Sequence, residues 1–142
     1  MDLGDRERAF LAENHSAAMI TVGADGYAKP ARVGVALVDD RLWSSGTQDR
    51  ARTRRLHRDP RCTLFVFDAR FAWLGLETTV HLIEGDEAVA ANVRLFRQMQ
   101  GRPTGPLSWF GSDLDEPGFM RQMVEERRLI YEFDIRRAYG LA

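Results

Sequence analysis

Apolar residues recur along this chain in two periods, and the changes between them mark its elements. Ala9, Phe10 and Leu11 give residues 5–14 a short amphipathic helix, with Asp2 and Asp5 near its positive end. Residues 16–22 read as a strand, and Gly23-Ala24-Asp25-Gly26 as a hairpin turn, because glycine and aspartate reach the positive φ angles that tight loops need. The return strand is expected over 27–38. Asp39-Asp40 then turns the chain into a third strand over 41–45, completing a meander.

Residues 49–58 lack β-branched runs and end at Asp59-Pro60, where proline stops a helix. Strands follow over 61–67 and 71–85. The second places Ala72, Leu74, Leu76, Val80 and Leu82 on one face, and Phe71, Trp73, Gly75, Glu77, Thr79 and His81 on the other. That second face is too aromatic at one end for plain solvent surface, and it is expected to meet a partner or ligand. Helices are predicted over 87–100 and 116–127, with a loop over 102–115 that leaves Trp109 and Phe110 exposed unless something covers them. Leu129, Tyr131, Phe133 and Ile135 alternate in a last strand. Consecutive strands joined by short turns predict an antiparallel sheet, and six of them close most economically into a barrel. The expected fold is therefore α+β, a six-stranded antiparallel split β-barrel with flanking helices, built as one domain over 1–142.

Composition narrows the function only by exclusion. A net charge of −1 and a charged fraction of 29% give no global attraction to nucleic acid or to membrane. The N-terminal residues are polar, and no stretch approaches the roughly 20 apolar residues of a membrane span, so a soluble cytoplasmic chain is expected. Cys62 lies in an apolar run and reads as a small buried hydrophobe rather than a nucleophile. His15, His57 and His81 have no partners at metal-ligand spacing, and hydrolase, nucleoside-triphosphate and dinucleotide motifs are absent. If the chain is an enzyme, the reactive chemistry belongs to a bound cofactor.

Charge is concentrated at one place. Between Arg41 and Arg70 there are eight arginines against three aspartates, and Arg50, Arg52, Arg54, Arg55 and Arg58 fall within nine residues. An arginine run is often only a solvated helix face. Here the helix carries few apolar residues, it follows Ser44-Ser45-Gly46-Thr47 at the end of a strand, and its first-turn N–H groups favour an anion. A single phosphate site fits this pattern better than a nucleic-acid surface, which would need a recognition element and a basic domain.

Three segments resemble one family: Tyr27-Ala28-Lys29-Pro30, the run from Asp49 to Leu56 continuing through Arg58-Asp59-Pro60-Arg61, and Ile135-Arg136-Arg137-Ala138-Tyr139-Gly140-Leu141. They are similar to the pyridoxamine-phosphate-oxidase-like split barrels, and most of all to the deazaflavin branch that uses coenzyme F420. The resemblance implies a homodimer with cofactor sites at the interface and hydride transfer from reduced coenzyme F420 to a small unsaturated or quinone-like substrate. An FMN-binding oxidoreductase, or a protein that binds a cofactor or haem without turnover, is the alternative. It implies that Ser45, Thr47, Arg50, Ala51, Arg52 and Arg55 hold the cofactor's phosphate and any acidic tail. Ala31, Val33, Gly34 and Val35 would lie along the ring, with Trp73 supplied by the other subunit. Ala31 and Gly34 stand where a near type carries amides, so ring recognition would fall to backbone groups. His81 and Tyr139 are the candidate proton donors, although a structural role accounts for each as well.

Overall fold

The structure is a computed structural model describing residues 3–141; Asp2, expected at the positive end of the first helix, lies outside them. In chain order the elements are α1 (Asp5–Glu13), β1 (Ser16–Val22), β2 (Ala28–Gly34), β3 (Ala36–Val38), β4 (Arg41–Thr47), α2 (Ala51–Arg58), β5 (Arg61–Phe67), β6 (Trp73–Ile83), α3 (Asp86–Gln100), β7 (Leu107–Trp109), β8 (Ser112–Leu114), α4 (Glu116–Glu125) and β9 (Arg128–Tyr139). Seven strands form one antiparallel sheet in the order β2-β1-β5-β6-β9-β4-β3. It curls into a half-barrel, so the predicted α+β split barrel is the fold observed.

The expected strand over 27–38 is two strands, because the chain passes from one edge of the sheet to the other at Val35. His15 holds that corner. Its carbonyl accepts the Val35 N–H at 2.8 Å, and its Nδ1 lies 2.9 Å from the Val35 carbonyl. The Ser44 hydroxyl donates to the Gly34 carbonyl at 2.6 Å and ties β4 across the same corner.

Inside the barrel, Leu11, Met19, Leu42, Leu64, Val66, Leu76, Leu129 and Tyr131 are all buried. Each such aliphatic side chain contributes about 1.5–3 kcal/mol on removal from water. Gly46 is required by this core: a Cβ there would come within 2.3 Å of the Tyr131 side chain. The Tyr131 hydroxyl meets Thr53 of α2, and Thr53 donates onward to the Thr47 carbonyl at 2.8 Å. Since Thr53 has one proton and spends it on Thr47, Tyr131 is the donor in the first contact. The chain links the core to the start of α2 and fixes the basic helix against the barrel.

Outside the barrel, α3 covers Ala36, Trp43 and Ile130 with Ala91 and Leu95. The segment predicted as loop holds the hairpin β7–β8, which shares a third cluster with α3 and α4 through Val93, Leu107, Phe119 and Met123. Asp39 and Asp40 form the expected turn at positive φ, and each pairs with an arginine from a flanking helix, Arg94 and Arg8 respectively.

Candidate functional site

Where the barrel corner, the start of α2, the end of α3 and the β7–β8 hairpin converge, they enclose a cavity of about 400 Å³. Val33 and Gly34 of β2 and Ser45 of β4 line one side, and Phe96, Met99, Ser108, Trp109 and Phe110 line the other. Arg32, Arg50, Arg52 and Arg128 supply the charge, with no carboxylate among the lining residues.

These arginines are unequally engaged. Arg128 donates through Nε and Nη2 to one Glu126 oxygen at 2.9 and 2.8 Å and lies 5.0 Å over the Trp109 ring. Glu126 also accepts from Trp109 Nε1 at 3.0 Å and Gln122 Nε2 at 2.6 Å. Burial works to raise its carboxyl, but the hydrogen bonds from Gln122, Arg128 and Trp109 outweigh this and hold it below the usual glutamate value. By contrast, Arg32, Arg50 and Arg52 make no ion pair among the described residues. Arg52 sits 5.8 Å over the Tyr131 ring, and its Nε is buried without a hydrogen-bond partner. Burial lowers its guanidinium from the ordinary value, Tyr131 opposes this, and nearby Arg50 and Arg128 add to the lowering. It remains charged, since the guanidinium pKa starts far above neutrality.

The start of α2 adds to the same field. No side chain caps this helix and its first turn holds no acid, whereas α1, α3 and α4 all begin with acidic residues. Its positive end lacks a side-chain cap beside Arg50 and Arg52, with Asp49 just ahead of the N-cap. Together with the orphaned Arg52 Nε, this makes the donor set fit a phosphate-bearing ligand.

The structure brings together Val33, Gly34, Ser45, Arg50 and Arg52 of the residues singled out from sequence. Thr47 and Ala51 line a neighbouring recess that shares Arg50 and Arg128. The hydroxyls are committed: Ser45 donates to Asn92 Oδ1 at 2.6 Å and Thr47 to Asp49 Oδ1 at 2.7 Å. Thr47's hydrogen bond, helped by Arg50 and Arg127, holds the Asp49 carboxyl below its usual value. Arg55 faces a separate groove along α2, lined also by Lys29, Ala51, Arg54 and Arg58.

Other residues lie elsewhere. In β2 the side chains alternate, so Ala31 and Val33 face the barrel while Arg32 and Gly34 face out; Val35 is buried in the core. The four residues expected along one ring therefore occupy two faces. Trp73 stacks on Phe65 at 5.4 Å, with Tyr139 edge-on at 6.0 Å, on the outer face of the sheet. His81 lines a separate cavity of about 450 Å³ with Arg8, Asp40, Glu132 and Asp134. Arg32 and Arg128 were not legible as site residues, because only sheet pairing carries Arg128 beside Thr47. Burial pushes the Cys62 thiol up to about 12, which fits the inert role expected of it.

The curled sheet with helices on its flank and a basic cleft at its corner defines a split-barrel protein. The sequence profile of the pyridoxamine 5'-phosphate oxidase family matches residues 3–139, and the chain belongs to that family. Among solved structures, it is similar to a conserved hypothetical protein of Mycobacterium tuberculosis, with TM-score 0.74 and 19% identity over 98% of this chain and 84% of that one. An F420 reductase aligns with TM-score 0.71 and 17% identity over 96% and 98% of the two chains. The haem storage protein of Vibrio cholerae aligns with TM-score 0.66 and 14% identity over 99% and 96%. Likeness at these identities establishes the shared fold. No curated protein matches the chain significantly. Among the described residues, no helix is long and apolar enough to cross a membrane, and no cluster of three metal-ligating side chains occurs.

Proposed function

We propose that the chain is an oxidoreductase that holds coenzyme F420 in the arginine-lined cavity and transfers hydride to a small unsaturated or quinone-like molecule. The observation that carries this reading is the grouping of Arg32, Arg50 and Arg52, none in an ion pair, around one wall of a cavity whose other wall is aromatic and apolar. When bound, the deazaflavin supplies the hydride chemistry. Arg50, Arg52 and the open end of α2 bind the phosphate, while Phe96, Met99, Trp109 and Phe110 exclude water from the ring.

Coenzyme F420 is preferred over FMN because cations continue past the phosphate position. Lys29, Arg54, Arg55 and Arg58 line the separate groove along α2, against one carboxylate, Asp25, which Lys29 already engages at 2.9 Å. An acidic tail would find partners there that FMN would leave unused. Haem is disfavoured, since among the described residues no histidine or cysteine lines the arginine cavity.

A homodimer belongs to the same reading. One row across the outer face reads Arg32, Ala18, Phe65, Gly75 and Tyr139, so the aromatic patch runs through the sheet to a residue of the cavity. A second copy seated on Phe65, Trp73 and Tyr139 would bury exposed aromatics and bring Trp73 to its neighbour's cavity. The functional test mixes the protein with reduced coenzyme F420 and a quinone and follows reappearance of the oxidised cofactor's absorbance. Turnover that requires the protein supports the reading. Binding without turnover would reduce it to a carrier, and turnover with FMN alone would assign the flavin alternative.

A further inference from the structure

The hairpin that walls the cavity carries a residue its own turn disfavours. Trp109 pairs with Ser112, leaving Phe110 and Gly111 as a two-residue loop with φ of 48° and 85°. Two positive φ angles in such a loop favour Asn-Gly or Asp-Gly, because the Cβ of other residues crowds the following carbonyl. The chain's other two-residue hairpin uses aspartates, which tolerate positive φ better than phenylalanine, with Asp39 and Asp40 at 48° and 64° between Val38 and Arg41. Phe110 instead sets a phenyl ring there, 86% exposed, on the lining of the arginine cavity.

The ring stands on a fixed base. Trp109 meets it edge-on at 4.9 Å and is itself held by Phe96 at 5.3 Å, Phe119 at 5.7 Å, Arg128 over its face and Glu126 on its indole nitrogen. Two costs therefore coincide at the cavity mouth: a left-handed phenylalanine and a large apolar side chain in water. Strain of this kind points to function when it lies at a site, and covering the ring would offset the second cost directly.

We propose that Phe110 is a ligand-contacting residue that packs on a planar heteroaromatic ring held in the cavity, and that the chain keeps it at a cost in hairpin stability. The inference rests on the proposed function: the arginines take the anionic end of the molecule and Phe110 the ring end.

The test compares Phe110→Asn, Phe110→Leu and Phe110→Tyr with the wild-type chain by thermal melting without ligand, by titration with coenzyme F420 and with FMN, and by light scattering. Phe110→Asn, which suits the turn, should raise the melting temperature by roughly 2–5 °C. It should also weaken the probe that the wild type binds about tenfold. Phe110→Tyr should keep wild-type binding, and Phe110→Leu should lose affinity without gaining stability. Undiminished binding by Phe110→Asn or Phe110→Leu would overturn the proposal. So would a changed oligomeric state with binding intact, which would make Phe110 an interface side chain. If the wild type binds neither probe, the proposed function fails and this inference with it, an outcome recognised from the wild type alone.

Discussion

Replacing Arg52 with methionine separates what the cavity's charge does for folding from what it does for binding. Methionine keeps the apolar stem against Tyr131 and removes the guanidinium. In the unliganded protein that group carries a buried, unpartnered Nε and lies near two further arginines. Relief of one unsatisfied donor is worth about 1–3 kcal/mol, and the lost cation–π contact at 5.8 Å costs about 0.5–1 kcal/mol. The balance is a gain of about 0–2 kcal/mol, a rise of up to roughly 5 °C in melting temperature for a chain of this size. Binding should move the other way. A hydrogen bond to a charged group contributes about 1.5–3 kcal/mol, so affinity for coenzyme F420 or FMN should fall roughly 10- to 150-fold. Melting by differential scanning fluorimetry and fluorescence titration read the two effects independently. A melting temperature several degrees lower with unchanged affinity would instead make Arg52 a structural residue with no part in binding.

Three further outcomes follow from the geometry. Thr53→Val leaves the buried Tyr131 hydroxyl without its acceptor and should cost about 1–3 kcal/mol in urea denaturation, more than Tyr131→Phe, which leaves the Thr53 to Thr47 hydrogen bond in place. Cys62, with its thiol pushed up to about 12, should resist alkylation at pH 8 in the native protein and react fully once denatured; rapid native labelling would contradict the buried assignment. Glu126 is held below its ordinary value of 4.5, so its contribution is complete above that pH and is lost as pH falls through the lowered folded value. The melting-temperature gap between wild type and Glu126→Gln should therefore be constant above pH 5 and close in more acidic buffer. A gap that widens with acid would reverse the sign.

Local patterns made most of the scaffold legible, and tertiary pairing decided the rest. Period-two alternation located the strands, Asp39-Asp40 announced its turn, and the arginine run with Pro60 marked α2. The break at Val35 left no local signal, because Val33 and Val35 continue the apolar alternation while His15, twenty residues earlier, makes the corner. The β7–β8 hairpin was hidden by strands of three residues each and by a turn that carries phenylalanine where asparagine or aspartate would have revealed it. At the site, the charge of Arg50 and Arg52 was readable. The commitment of Ser45 to Asn92 and Thr47 to Asp49 was not, since a hydroxyl's partner depends on what folds against it. Ala31 and Val35 were placed along the ring by the family resemblance alone; in the structure Ala31 faces the barrel from β2 and Val35 is buried at the corner between β2 and β3.

Unpaired arginines at the corner of the barrel should be what holds a phosphate-bearing cofactor. The most direct test is a fluorescence titration of the wild-type chain and Arg50→Ala/Arg52→Met with coenzyme F420 and FMN at low and high salt. Saturable, salt-sensitive binding by the wild type, tighter for coenzyme F420, should be nearly lost in the double variant. Binding that is indifferent to both substitutions and to salt, or no binding of either cofactor by the wild type, would show that the arginines do not serve a phosphate.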